Sequence, residues 1–461
     1  MHSTARSEVH SSIPRNVRVL SQVTPSRRAG GAHHSPGLQR LWHRARLLVV
    51  RMQDLDFLAT VLGLTAPWRV VHADLNLTKK GSIEAKVAYE GSGTCPTCGE
   101  PASIYDHRER RWRHLDLFQY AFYITAEVPR VKCKQHGVLQ MPVPWATGKA
   151  GFTALFERMV IALLSEMSIA GVARNLRLSW DEVDGIMSRA VERGLERRQE
   201  KNYRFIGIDE KAIKKRHRYF TIVSDLESGK VIWIGYGRKR ETIDAFWKTL
   251  TDKQREAIEG VAMDMWEPYF DSTMTYLPDA AKKIVFDKYH LVTYLTKAVD
   301  LTRRRNVREL GKDEAADLKG TKYTWLRNPK NMKPEERRTL TTLSKQFRTI
   351  GRAWAIKESF GHFWQYRREA IARSYFKSWY NWAARSRIPA IADAARTFKR
   401  HFENIITYLS LRITNASAES LNAKIQWIKY QARGFRNEGR FKRAILFHCA
   451  GLDLYPAHSN S

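Results

Sequence analysis

The sequence predicts a multidomain α/β protein, with a mixed-sheet core that carries a helical insertion and follows two small modules. Three observations predict it. Over residues 203–290, short apolar runs that read as buried strands alternate with helical periods. Acids close two of those runs: Asp209 follows Arg204–Ile208 and Asp264 follows Gly260–Met263, while Glu419 lies far downstream in the helical stretch Asn415–Asn422. Ahead of the core, cysteine and histidine recur in pairs with two residues between them.

The core elements follow in order. After the run ending at Asp209, His217–Ser224 and Lys230–Gly235 read as strands around the turn Asp225–Gly229. Glu241–Leu250 reads as a helix, Val261–Met263 as a strand, the segment around Tyr269 as a helix, and Ile284–Phe286 as a last strand before Asp287. Strand, hairpin, helix, strand, helix, strand is the order of a ribonuclease-H-like fold. In that order Asp209 and Asp264 stand side by side.

Carboxylates converging at strand ends, with a distant helical Glu, suit a two-metal phosphoryl-transfer site. Magnesium takes hard oxygen ligands, and paired ions about 4 Å apart clamp the attacking and leaving oxygens. Singly, each acid is more often a turn or cap residue; the set in this order is what points to metal. Asp287 competes with Asp264, and His290 in Asp287–His290 either positions a phosphate or packs. Glu210 is expected on the face opposite Asp209. Asp225 and Glu227 are expected in a solvated turn with a structural role. Asn415, Glu419 and Asn422 share one helix face. The basic run after them, including Lys429, Arg433, Arg436 and Arg440, lines a DNA channel or is a solvated basic face.

Ahead of the core, Cys95-Pro-Thr-Cys98-Gly and Cys133-Lys-Gln-His136-Gly form two knuckles. Two such pairs make a tetrahedral Cys3His shell for one structural Zn2+, in a zinc ribbon over 94–142. His107 or His114 is the alternative fourth ligand, and Cys449 is expected in the core. Arg108, Arg110, Arg111 and Arg113 flank the ribbon as phosphate contacts. Residues 153–198 carry three helical periods, and Ser179 with Glu182 forms a capping box at the third. This predicts a helix-turn-helix, or else a plain helical linker.

The remaining segments are a basic leader (1–51), a helix and hairpin (52–93, turning at Lys80-Gly81), a helical insertion (291–410) and a closing helical segment (411–449). The leader lacks apolar period and is expected to be disordered, with Met52 as the natural start. The last dozen residues read as a tail. In the insertion, Trp325, Trp354, Trp364, Trp379 and Trp382 either grip distorted DNA ends or form helical core.

The chain has 461 residues, a formal charge of +32 and only four cysteines. That charge selects a polyanion, most often nucleic acid. Few cysteines exclude a disulfide scaffold and point to a reducing, cytoplasmic setting. No apolar run approaches a membrane span.

At these residues the chain resembles the DDE transposases of bacterial insertion sequences, specifically the ISL-three group. The resemblance rests on both knuckles, residues 153–198, Gly207–Glu210, Met263-Asp264, Asp287–His290 and Asn415–Glu419, and covers roughly 52–449. It implies a catalytic Asp209, Asp264 and Glu419 with two Mg2+ (or Mn2+), and double-stranded DNA, as transposon ends and target, for a partner. It also implies a homo-oligomer on that DNA in the bacterial cytoplasm. The alternatives are a structure-selective nuclease of the same fold and a non-catalytic DNA-binding regulator derived from a transposase.

Overall fold

The computed structural model describes residues 55–75, 81–214, 218–413 and 416–457, excluding the side chains of 214, 312–313 and 416–418. The leader 1–51, Met52, Lys80 and Asn415 lie outside the described residues. Helix α1 (residues 55–61) ends at Gly63, whose φ of +61° suits a residue without Cβ. It precedes β1 (Trp68–Leu75) and β2 (Ser82–Tyr89), an antiparallel pair running from Trp68↔Tyr89 to Leu75↔Ile83. A long hairpin follows, β3 (Ser103–Leu117) and β4 (Tyr120–Cys133), and β5 (Gly137–Gln140) folds back on β4.

β2 and β4 pair in parallel, from Ser82↔Ala121 to Val87↔Ala126. The hairpin and the ribbon are therefore one sheet, β1-β2-β4-β3, with β5 also on β4. Alternating patterns announced the strands but could not announce a partner some 40 residues away. The sheet buries one apolar face, in which Trp68, Trp112 and Trp145 meet edge to face at 5.0 and 5.4 Å.

Three helices come next: α2 (Ala154–Glu166), α3 (Ile169–Leu176) and α4 (Trp180–Glu196). Ser168 caps α3 by accepting from Gly171 N, and Arg177 turns the chain at φ +58°. Ser179 and Glu182 form the expected reciprocal capping box on α4. Phe156, Val160, Val172, Ile186 and Ala190 face inward at helical spacing.

The second sheet has the order β10-β9-β6-β7-β8. Its strands are β6 (Phe205–Lys214), β7 (Arg218–Asp225), β8 (Val231–Tyr236), β9 (Gly260–Met263) and β10 (Ile284–Phe286). β6, β9 and β10 run parallel, while β7 is antiparallel to both β6 and β8. Between strands lie α5 (Arg240–Lys248), α6 (Asp252–Glu256), α7 (Glu267–Tyr276) and α8 (Ala280–Lys283).

Eight helices complete the insertion: α9 (Lys288–Glu309), α10 (Lys312–Ala316), α11 (Lys322–Leu326), α12 (Pro334–Gln346), α13 (Arg348–Phe360), α14 (Glu369–Ala384), α15 (Pro389–Arg400) and α16 (Phe402–Leu411). The closing segment, expected as one helical piece, is two helices, α17 (Ala416–Gln431) and α18 (Glu438–Cys449). Gly434, at φ +93°, stands in the loop between them. Among the described residues no helix is long and apolar enough to cross a membrane.

Sheet alternation sends one set of side chains to each side. Ile206, Ile208 and Val223 join α5, α7 and the insertion in one core. Ile213, Phe220, Ile222, Val231 and Ile234 join α2–α4, α17 and α18 in another. The helix-turn-helix segment, expected as a separate module, thus shares its core with the sheet. Trp325, Trp364 and Trp379 are buried in the first core, whereas Trp382 is exposed. The expected tail is docked: Arg158 donates to Pro456 O, Arg193 to Leu454 O, and Arg197 pairs with Asp453.

Candidate active site and metal knuckle

Parallel pairing of β6 with β9 matches Ile208 to Met263, so Asp209 and Asp264 are the next residues on neighbouring strands. β10 continues the register, with Phe286 beside Met263, and brings Asp287 alongside. Three acids therefore stand at one edge of three parallel strands. Their environments separate them.

Asp209 is held from two sides. Its Oδ1 accepts from the Glu210 backbone N at 2.7 Å and its Oδ2 from Asn422 Nδ2 at 2.5 Å. Burial pushes its pKa above the ordinary carboxylate value; those two bonds oppose the shift, the Asp264 charge adds to it, and His290 offsets part. Two neighbouring half-buried carboxylates without a full countercharge are a site that a divalent cation would relieve.

Asp264 has His290 Nδ1 at 2.6 Å from its Oδ1. That buried oxygen nevertheless has no aligned hydrogen-bond donor among the described residues. His290 is nonetheless the charged neighbour of that oxygen. Burial works against a charged His290 ring, but Asp264, Asp287 and Asp209 outweigh it and raise its pKa. His290 therefore faces the carboxylates.

Asp287 is the N-cap of α9, accepting from Tyr289 N at 2.7 Å and His290 N at 3.4 Å. It orients the helix that delivers His290. Glu210 points away from Asp209, as expected, and pairs with Arg238 at 3.2 Å. Arg238 sits between the Tyr219 and Trp266 rings, at 4.2 and 4.7 Å.

The Asn422 bond ties α17 to the sheet edge. Lys211 Nζ adds a bond to Asn422 O at 3.3 Å, and Lys429 Nζ one to Ile213 O at 2.7 Å. Glu419 is exposed on the same helix, one turn before Asn422. Three residues of helix advance about 4.5 Å along the axis, and among the described residues the ligand atoms of Glu419, Asp209 and Asp264 do not come together as one cluster. Sequence reasoning missed Arg238 and Lys211. Lys211, two residues beyond Asp209, carried the one available signal, since residues i and i+2 share a strand face. Asp225, expected in solvent, is buried: it accepts from Lys201, Ser228 and the Glu227 backbone N and so builds the turn.

The knuckles meet as expected. The ligand atoms of Cys95, Cys98, Cys133 and His136 lie within 4.8 Å of one another. Cys98–Cys133 sulfurs are 3.8 Å apart, and His136 Nδ1 lies 3.7 and 3.6 Å from Cys95 and Cys133. Tetrahedral zinc with bonds of about 2.3 Å needs sulfur–sulfur edges of about 3.8 Å, so the donor set fits. Gly99 and Gly137, one after each pair, have φ of +75° and +69°, which closes each turn. The Cys98 backbone N–H bonds the Cys95 sulfur and, with its neighbours, brings that thiol down to about 6, towards the thiolate a metal takes. His114 instead bonds Thr153 Oγ1. Cys449 is core, its thiol pushed up to about 11 by burial.

The expected phosphate-binding arginines divide. Arg113 is 4% exposed, pairs with Asp116 and donates to Phe122 O, so it is a core strut and not a surface contact. Arg110 bonds Gly148 O and Ala150 O, and Arg111 pairs with Glu84. Arg440 pairs with Asp181 and Asp184 and covers the Trp180 ring. Arg108 is exposed, and Arg433 and Arg436 are exposed in the α17–α18 loop.

Paired acids at the end of parallel strands, behind three capped helices and a Cys3His knuckle, are arranged as a DNA-processing protein requires. Residues 206–445 match the family model described as Transposase, of the DDE type of ISL3. Residues 141–191 match the helix-turn-helix domain of transposase family ISL3, and 91–136 the zinc-finger of transposase IS204/IS1001/IS1096/IS1165. The chain is similar to the transposase for insertion sequence element IS1557 of Mycobacterium tuberculosis, 32% identical over 370 residues, covering 74% of this chain and 82% of that one. It is also similar to the transposase for insertion sequence element IS1001 of Bordetella parapertussis, 27% identical over 352 residues, covering 75% and 86%. The chain belongs to the ISL3 family of transposases, and is a DDE-type DNA transposase.

Proposed function

We propose that Asp209, Asp264 and Glu419 are the catalytic set of this transposase, on a ribonuclease-H-like sheet. The order β10-β9-β6-β7-β8, with only β7 antiparallel to its neighbours, supports the fold reading. One observation carries the site: Asp209 and Asp264 are adjacent in register, and Asn422 bonds Asp209 from the helix that bears Glu419.

In the first step, water attacks a phosphodiester at the element's end. The P–O3′ bond breaks, leaving a 3′-hydroxyl on the element and a 5′-phosphate on the flank. In the second, that hydroxyl attacks a target phosphodiester, and the target's 3′-oxygen leaves with the proton. The three carboxylates would hold two Mg2+ or Mn2+ ions, which when bound neutralise phosphate charge and acidify the water. Asn422 fixes the orientation of Asp209, and His290 that of Asp264. Cys95, Cys98, Cys133 and His136 would hold one Zn2+ that closes the ribbon. The ribbon and the helix-turn-helix bind the terminal inverted repeats, with the protein acting as a homo-oligomer on bacterial DNA in the cytoplasm.

Asp209→Asn is expected to lower metal-dependent strand cleavage about 10³-fold or more, from the several kcal/mol that metal stabilisation contributes, while end binding persists in gel shifts. Wild-type cleavage by that variant would exclude the assignment. Supplying pre-cut ends with a plasmid separates a transposase, which joins them, from a nuclease, which does not.

A further inference from the structure

The ladder between β6 and β9 ends at Ile208↔Met263. Asp209 and Asp264 therefore stand one residue beyond its last rung, and strand pairing does not set the distance between them. Asn422 holds the first and His290 faces the second, each singly. A two-ion site needs that distance fixed, because ions about 4 Å apart are shared between its carboxylates. A chain of contacts that starts on the other face of the sheet joins the two strand ends.

It begins at Glu210, whose backbone N donates to Asp209 Oδ1 at 2.7 Å and whose carboxylate accepts from Arg238 Nη1 at 3.2 and 3.3 Å. The Arg238 guanidinium lies 4.2 Å from the centre of the Tyr219 ring and 4.7 Å from that of Trp266. Trp266 Nε1 donates back to Arg238 O at 3.0 Å, and Trp266 N donates to Asp264 O at 2.7 Å. Arg238 leaves the sheet from a fixed point: Gly237 N donates to Tyr219 O, and Thr221 Oγ1 to Gly237 O, both at 2.8 Å. One guanidinium thus spans from the residue after Asp209 to the second residue after Asp264. A planar cation can do this because it takes a carboxylate at its edge and an aromatic ring on its face at once. We propose that Arg238 is a positioning residue of the cleavage reaction, a brace that acts through Glu210 and Trp266 to set the spacing of Asp209 and Asp264 for their divalent ions. This inference rests on the assignment of those two aspartates as metal ligands. Glu210 and Arg238 are each 32% exposed, so their pair adds little to global stability and its effect is local.

The test uses the full-length, zinc-loaded protein. Mn2+ is titrated into it without DNA and read by electron paramagnetic resonance. The Mg2+ dependence of cleavage, the affinity for a duplex carrying the element's own end, and the melting temperature are followed beside it. Arg238→Met keeps the unbranched stem between the rings and removes the cation. It is expected to weaken Mn2+ binding about tenfold, the low end for groups that orient a metal ligand. The Mg2+ needed for half-maximal cleavage should rise in step, while end affinity and melting temperature stay at wild-type values. Arg238→Lys, which keeps the charge but not the planar fork, should recover part of the loss. Glu210→Gln should match Arg238→Met, and the double variant should be no worse than either, since both break one link. Wild-type Mn2+ binding in Arg238→Met and Glu210→Gln, while Asp209→Asn loses it, overturns the brace and leaves the catalytic assignment standing. If Asp209→Asn itself binds Mn2+ and cleaves as the wild type does, the assignment and the brace fail together. Losses that add in the double variant would show the two residues acting apart, which also overturns the proposal. If Arg238→Met melts early, Glu210→Gln, equal in size to the native residue, decides alone.

Discussion

At the residue scale, Asn422 decides how the site is assembled. It reaches from α17 to a carboxylate that burial and a neighbouring acid destabilise in its charged form. A partner in that position typically carries 10- to 100-fold in metal affinity or activity. Asn422→Ala is therefore expected to lower cleavage by about 10- to 100-fold and to raise the Mg2+ concentration needed for half-maximal rate. An unchanged metal dependence would mean the bond only supports the fold.

Asp225 gives a second residue-scale expectation, on stability. Burial alone would raise its pKa, but Ser228, Lys201 and the Glu227 backbone N hold it below the ordinary value of 3.8. A folded pKa below the unfolded one stabilises the protein above the unfolded value. That stabilisation is lost as pH falls through the depressed value. Denaturation curves from neutral pH down to about 3 should thus flatten on the acid side in Asp225→Asn. Parallel curves for variant and wild type would rule this out.

At the element scale, the knuckles stand apart from the packed cores. Cys98 is exposed, and its turn is held by its neighbours and the proposed ion. Structural zinc contributes roughly 10–16 kcal/mol of apparent binding energy to such small sites. Cys98→Ser should release zinc to a chromogenic chelator and lower the first thermal transition of the N-terminal sheet, leaving the second sheet folded. Full zinc occupancy in that variant would reassign the ligand. Both knuckles were legible from spacing, because two residues between ligands and a following glycine leave little else for the turn to do. The helices α2–α4 were equally legible from their period and, for α4, from the Ser179–Glu182 capping box. What their pattern could not express was which surface they cover.

At the scale of the whole molecule, that surface matters most. α2–α4 bury Val172, Val183 and Ile186 together with Phe220, Ile222 and Ile445 of the body. The docked residues 453–456 add polar ties to α2 and α4. A fragment of residues 141–198 would expose most of that face. It is expected to lack a cooperative melt by circular dichroism, whereas separately folding domains would retain one. An intact, cooperative fragment would show the reader to be an independent module.

The two aspartates at neighbouring strand ends, the knuckles and the strand order stood in the sequence because chemistry and local geometry restrict residue type. A metal shell needs particular donors at particular spacing, and a buried strand needs an apolar run. Only the tertiary structure decided that the first hairpin and the ribbon are one sheet, that Arg113 is a strut, that Asp287 is a cap, and that α17 reaches Asp209 through Asn422. Each depends on a partner far away in the chain, and long-range pairing is set by the packing of the whole core, which no local pattern encodes.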